Sequence, residues 1–223
     1  MLEKIRDNSR SAGFTFTELL IALIINTLLL AALITVFSAN IRYFKTTVNA
    51  SRLNQQMQTA MNIMASDIRR AGYWSNARND LGSATNNNPF MVTATDISIN
   101  AGGNCILLTY DRSENGTLPA IDASIDDERY GYRLTNQAIQ SRPPGAPFDC
   151  DTTSSNWENI TDTGFMQITN LSFTLTTKTV SSGSGNDLIM RSIDISMTGR
   201  LTSDTSVTKT ITQHVRVRND KFT

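Results

Sequence analysis

The chain has 223 residues, and its 20 Lys and Arg residues balance its 20 Asp and Glu residues. This balance gives no support for a nucleic-acid surface or an acidic substrate. Hydrophobic residues make up 39% of the chain and are concentrated near the N-terminus. Without a polar leader and an apolar anchor, about 150 to 185 residues remain, which suffice for one domain with its own core. That remainder is rich in Thr, Ser, Asn and Ile, which favours strands and loops.

The first element is an apolar segment behind a short polar leader. Residues 19–37 contain only three polar side chains. As a helix, residues 14–37 span roughly 36 Å, enough to cross a bilayer. Cleavage at Gly13 removes residues 1–13 and leaves this anchor in place, whereas an ordinary secretory signal carries its small cleavage residue after the apolar stretch. The alternative, a buried core helix, is seldom so uniformly apolar.

One carboxylate, Glu18, lies at the start of the apolar run. An isolated ionised carboxylate is costly in hydrocarbon, so it needs a partner. Cleavage after Gly13 creates a positively charged amine at Phe14, four residues before Glu18. The alternative is a glutamate at the membrane surface that lipid headgroups solvate.

The helix is predicted to continue past the anchor, because no glycine or proline occurs between Phe14 and Ala71. Apolar residues recur there at steps of three and four, which marks one helix face: Leu53, Met57, Met61, Met64, Ile68 and Ala71. Gly72 is the predicted C-cap. The apolar face is predicted to be core that packs on a sheet, rather than a surface for a partner.

The N-terminal residues resemble a known signal. Gly13-Phe14, then Thr17-Glu18-Leu19-Leu20, then the apolar run resemble the class III signal of type IV pilins and related pseudopilins. In that family a prepilin peptidase cuts after the glycine and methylates the new N-terminus, which implies N-methylation of Phe14. The family's glutamate engages the N-terminal amine of a neighbouring subunit, which implies that Glu18 is unsatisfied alone and sets register on assembly. Phe16-Thr17 depart mildly from the family's usual Leu-Ile.

A second stretch narrows the resemblance. "MASDIRRAGYW", residues 64–74, is similar to the helix end of PilW-type minor pilins, and "VRVRND", residues 215–220, is a weaker match to their last strand. The implied fold is α+β and pilin-like, with one long helix packed on an antiparallel β-sheet domain. Residues 1–13 are predicted to be a cleaved leader, and residues 14–41 a membrane or filament-core helix. Residues 42–72 are predicted to form the amphipathic half of that helix, and residues 73–223 a periplasmic β-rich domain.

Alternating and apolar runs predict the strands of that domain. A hairpin at 130–142 is predicted to turn near Asn136-Gln137. Short turns with no intervening helix favour an antiparallel sheet. The other predicted strands lie at 96–100, 105–110, 171–177, 193–197 and 211–217.

The two cysteines, Cys105 and Cys150, both follow the apolar segment. An even pair beyond a membrane favours a disulfide in an oxidising compartment. The bridge would contribute about 4 kcal/mol through loop closure. The alternative is two unpaired buried thiols.

Residues that could carry catalysis are sparse. His214, the only histidine, is predicted to lie on the outer face of a strand, and neither zinc-ligand spacing nor a G-x-S-x-G or P-loop motif occurs. The acidic residues Asp122, Asp126, Asp127 and Glu128 are interpreted as a solvated loop, because their spacing is not that of an EF-hand calcium loop. We therefore expect no enzyme activity, no metal and no cofactor.

The resemblance implies a minor pilin that primes type IV pilus assembly at the tip, with twitching motility, adhesion or DNA uptake as the output. Its implied partners are the prepilin peptidase, other minor pilins, the major pilin, the inner-membrane assembly platform and a tip adhesin, with no direct nucleic-acid contact. It would begin as a single-pass inner-membrane protein and then join the surface fibre. The alternatives are a J-type minor pseudopilin of type II secretion and, in another class, a membrane-tethered periplasmic binding protein or enzyme.

Overall fold

A computed structural model describes residues 13–80, 87–122, 126–151, 153, 156–181 and 187–222. The chain divides into two compact units, Met1–Val48 and Asn49–Thr223. A 55-residue helix, α1 (Phe16–Arg70), contributes to both units. Antiparallel strands follow it, so the predicted α+β, pilin-like arrangement is confirmed.

In the first unit, α1 exposes its apolar side chains. By length and composition it is the one helix within the described residues that could cross a membrane. The hydroxyl groups of Thr27 and Thr35 donate to the carbonyl oxygens of Ile24 and Ala32, at 2.8 and 2.7 Å. These threonines therefore satisfy their polar groups within the helix, as a lipid environment requires.

In the second unit, α1 buries the face that the sequence predicts. Leu53, Met57, Met61, Met64 and Ile68 are all buried, together with two alanines of the helix and Ala71 just after it. The periodicity of three and four therefore identifies a core-facing stripe.

The end of α1 depends on residues far along the chain. The helix ends at Arg70, and Gly72 follows with a φ of 72°. The backbone N–H of Arg218 donates to the carbonyl of Arg69 at 3.1 Å. The side-chain amide of Asn219 donates to the carbonyls of Arg70 and Ala71, both at 3.1 Å. The C-terminal segment thus caps carbonyls that a helix leaves unpaired at its end.

The strands form two antiparallel sheets rather than the single sheet that the sequence predicted. The first is a meander in chain order: β1 (Ser98–Ile99), β2 (Cys105–Thr109), β3 (Arg129–Thr135), β4 (Ala138–Ser141) and β5 (Glu158–Asn159). The second has β7 (Leu188–Leu201) between β6 (Met166–Val180) and β8 (Thr208–Arg216), and β9 (Lys221–Phe222) also pairs with β7. Isolated hydrogen bonds join the sheets, such as Phe173 N–H to the Gly103 carbonyl at 2.7 Å.

The turn between β3 and β4 is correctly predicted. Asn136 and Gln137 have φ angles of 51° and 63°. Two successive positive φ values match the right-handed twist of a two-residue hairpin.

One hydrophobic core joins α1 to both sheets. It contains Ile106 and Leu108 from the first sheet and Phe173, Ile195 and Met197 from the second. Because both sheets bury residues against the same helix face, the second unit has a single main core.

A smaller cluster surrounds the disulfide that the sequence predicts. Cys105 and Cys150 are bonded, with their Cα atoms 6.0 Å apart. Cys105 packs with Leu107 and Trp157, and the Arg133 guanidinium lies 4.3 Å from the Trp157 ring centroid. The bridge therefore attaches the loop that ends at Cys150 to an interior strand of the first sheet.

Candidate functional site

The predicted cleavage position lies in an open stretch before α1. Gly13 is exposed, and a Cβ added there would meet nothing within 4 Å. Phe14 is 89% exposed. The bond between them is therefore accessible to a second protein. Residues 1–12 of the predicted leader lie outside the described residues.

The sequence predicted that Glu18 is unsatisfied in the single chain, but the structure shows that its carboxylate is hydrogen-bonded. Its Oε2 atom accepts the Thr15 backbone N–H at 2.9 Å and the Thr15 hydroxyl at 2.8 Å. In return, the Glu18 backbone N–H donates to Thr15 Oγ1 at 3.3 Å. This reciprocal pair is a capping box at the first turn of α1. The signal was present as Thr15-Phe16-Thr17-Glu18 and was missed.

The capping box leaves part of the carboxylate available. Both of these hydrogen bonds go to Oε2, and Glu18 is exposed. The Glu18 Oε1 atom can therefore accept a donor from another molecule without loss of the bonds to Thr15. Gly13, Phe14 and Glu18 together form what we call the N-terminal site.

In the second unit, Asp67 of the stretch 64–74 belongs to a partly buried polar cluster that the sequence did not reveal. The Asp67 carboxylate accepts the Tyr132 hydroxyl at 2.5 Å and the Tyr110 hydroxyl at 3.1 Å. The Tyr110 ring stacks on Tyr130, with centroids 4.2 Å apart. Burial, and then the Asp67 charge, raise the pKa of Tyr132 and of Tyr110 well above the ordinary value. Both hydroxyls therefore remain donors that fix the end of α1 to the first sheet.

The acidic segment is not a wholly solvated loop, which corrects the sequence interpretation. Asp127 and Glu128 are buried. Asp127 pairs with Arg142 at 2.8 Å and with Arg129 at 3.2 Å. Sequence reasoning failed here because Arg142, which compensates the charge, lies fifteen residues away.

The only histidine has the predicted surface position on β8. His214 and Asp194 are direct cross-strand partners, with Nδ1 2.7 Å from Oδ1. Both side chains are exposed. The pair is a solvent-facing contact between neighbouring strands.

A comparison with protein families matches residues 46–217 to the family described as prepilin peptidase-dependent protein B. The match begins beyond the N-terminal site and covers most of the chain, so it does not depend on the residues at 13–18. No curated protein and no solved structure matches the chain.

Proposed function

The chain belongs to the prepilin peptidase-dependent protein B family, and we propose that it is a minor pilin of a type IV pilus, of the PilW type. The observation that carries the proposal is the register of the N-terminal site: Gly13, the aromatic Phe14 and Glu18 precede an apolar helix at the spacing of a class III signal. The family match at 46–217 supports it independently, because it excludes those residues.

Processing follows from the accessibility of the Gly13–Phe14 bond. A prepilin peptidase would cut there and methylate the amine of Phe14, and the apolar part of α1 would remain as a single-pass anchor in the inner membrane. The second unit, with its disulfide, suits the oxidising periplasm. The exposed apolar side chains of the first unit would pass from lipid into a filament core without entering water.

Assembly would use the oxygen of Glu18 that the capping box leaves available. The amine of Phe14 on a neighbouring subunit would donate to this carboxylate and form an ion pair in an apolar surrounding. Such a pair contributes to register more reliably than to stability. With its partner minor pilins, the major pilin and the assembly platform, the protein would prime the fibre at its tip and so support twitching motility, adhesion or DNA uptake.

A J-type minor pseudopilin of type II secretion is the second candidate, because the same signal and helix would serve both systems. The stretch 64–74, with Asp67 in contact with two tyrosines, resembles the pilus proteins and favours the first. We also propose that the protein acts by assembly and not by catalysis.

The first experiment is the intact mass of the protein in sheared surface fibres and in membranes. A mass that begins at N-methylated Phe14 in the fibres is the expected result. The same mass found only in membranes would favour a pseudopilin, and an uncut leader in both fractions would refute the assignment. Gly13→Leu should retain the leader, since the peptidase needs close access to this backbone.

Two variants separate the charge of Glu18 from its capping role. Glu18→Gln keeps a side chain that can complete a capping box but removes the charge. Thr15→Ala removes the box and keeps the charge. If the ion pair matters, Glu18→Gln is processed but fails to enter fibres, while Thr15→Ala enters normally. The opposite pattern would show that Glu18 acts only as a helix cap.

A further inference from the structure

The loop after β2 has the ligand spacing of a calcium-binding loop. Residues 111–122 read DRSENGTLPAID, which places Asp111, Ser113 and Asn115 at positions one, three and five and Gly116 at position six. An EF-hand loop offers oxygen atoms at positions one, three, five and seven and requires glycine at six. The pattern differs in Ser113, and in an aspartate rather than a glutamate at position twelve.

The backbone closes this loop in the manner that the pattern requires. The Gly116 N–H donates to Asp111 Oδ2 at 3.0 Å, and Asn115 Oδ1 accepts the Thr117 N–H at 2.8 Å. Glu114 and Gly116 have φ angles of 60° and 77°. A Cβ at Gly116 would lie 1.8 Å from the Asn76 side chain. Glycine is therefore needed at position six.

Two buried carboxylates that face this loop provide independent evidence. Asp111 and Glu128 are each 1% exposed. Glu128 Oε1 accepts the Ser113 N–H at 2.6 Å, so both carboxylates are held by N–H groups of the same loop. Their other oxygens, Asp111 Oδ1 and Glu128 Oε2, are buried and accept no hydrogen bond from the described residues. A buried carboxylate oxygen without a partner is costly.

Within the part of the chain that the structure describes, no basic side chain forms an ion pair with either carboxylate. Among the ion pairs of the described residues, none involves Asp111 or Glu128. Arg112 lines the same shallow cavity as Glu128 but lies outside ion-pair distance of it. The position is therefore suited to a bound cation.

We propose that this loop binds Ca²⁺ through Asp111, Ser113, Asn115, the Thr117 carbonyl and Glu128. The described residues contain no group of three His, Cys, Asp or Glu side chains at metal-binding distance, so neutral oxygens complete the shell. Such a mixed set favours Ca²⁺, which accepts six to eight flexible ligands, over Mg²⁺, which demands strict octahedral geometry. The expected Kd is about 10⁻⁴ to 10⁻³ M, the range of extracellular calcium modules.

The ion would order the segment that follows α1. The Trp74 indole N–H donates to the Gly116 carbonyl at 2.8 Å, and the Ser75 N–H and hydroxyl donate to Asp111 Oδ2 at 3.0 and 2.6 Å. Calcium in the loop would therefore stabilise the contact between residues 74–76 and the first sheet. This proposal does not depend on the pilin assignment.

The test uses the full chain, stripped of metal, in detergent. Ca²⁺ at about ten times its Kd should raise the Tm by about 3–6 °C, with a smaller effect of Mg²⁺. Glu128→Gln should abolish the shift. Asp204→Asn, which changes an exposed carboxylate in the turn before β8, should leave the shift unchanged. A wild-type shift in Glu128→Gln, or none in the wild type, would overturn the proposal.

A second measurement covers the case in which Glu128→Gln does not fold. Tb³⁺ should bind the wild-type protein saturably and emit on tryptophan excitation, because the Trp74 indole contacts the loop. Ca²⁺ should displace it, and Trp74→Phe should lose most of the emission but keep the Ca²⁺-dependent Tm shift. Emission that Ca²⁺ cannot displace, or that survives in Trp74→Phe, would place the ion elsewhere.

Discussion

Reduction of the Cys105–Cys150 disulfide tests how the first sheet is held together. The bridge joins the first residue of β2, an interior strand, to the loop before β5. It closes a loop between residues 45 apart in sequence. Reduction breaks this link and adds only one hydrogen to each sulfur, so the thiol of Cys105 can still pack against Leu107 and Trp157.

The expected loss comes mainly from the unfolded state. Loop-closure entropy for 45 residues corresponds to about 4 kcal/mol at 25 °C. In a protein of this size, each kcal/mol shifts the Tm by about 2–4 °C, so reduction should lower the Tm by about 8–16 °C.

The assay is thermal unfolding of the full chain in detergent, followed by circular dichroism with and without reductant. The double variant Cys105→Ala/Cys150→Ala is the control, because reductant should not change its Tm. Its own Tm should lie near or below that of the reduced wild type. A wild-type Tm that moves by less than about 2 °C, with the thiols shown to be free, would refute the loop-closure reasoning.

Three further predictions can be tested by urea unfolding of the full chain. Asp67→Asn should lower the free energy of unfolding by about 1–3 kcal/mol, because it weakens acceptance from two buried tyrosines; no change would mean that the tyrosines find other acceptors. Arg142→Met should cost about 1–3 kcal/mol, because it leaves the buried Asp127 carboxylate with Arg129 as its remaining ion-pair partner. Arg216→Met, which breaks an ion pair with an exposed arginine, should cost less than about 1 kcal/mol. Equal costs at the two positions would contradict this reasoning. Gln137→Gly should raise the free energy of unfolding by about 1 kcal/mol, because Gln137 has a φ of 63°. Gln140→Gly, within β4, should lower it. A lower free energy of unfolding in both variants would show that backbone strain is not released at Gln137.

The sequence predicted the features that depend on local pattern. The steps of three and four from Leu53 to Ile68 identified the buried helix face, because a helix returns to the same side at that spacing. Asn136-Gln137 was recognisable as a turn between two strand-like runs. The disulfide could be predicted because both cysteines follow the apolar segment.

Features that depend on distant partners were not predictable in this way. Alternation shows which face of a strand is buried, but it does not show where one sheet ends, so the break between β5 and β6 was missed. The contact between Asp67 and Tyr132 spans 65 residues. The calcium-like spacing that begins at Asp111 is local and recognisable in the sequence, but the denser acidic run that follows it is the more conspicuous pattern.

The caps on α1 have a consequence for the order in which the protein folds. The Arg69 carbonyl accepts the Arg218 backbone N–H, and the Arg70 carbonyl accepts the Asn219 side-chain amide in addition to the nearby Tyr73 N–H. Asn219 lies almost 150 residues after Arg70. A nascent chain can form the helix early, since its bonds are local, but the last carbonyls of the helix gain these additional partners only after residues 218 and 219 have been made. Contacts of such high sequence separation slow folding. Removal of residues 218–223 would delete Arg218, Asn219 and β9. It should therefore leave the end of α1 less completely hydrogen-bonded, although the deleted residues are remote from α1 in sequence.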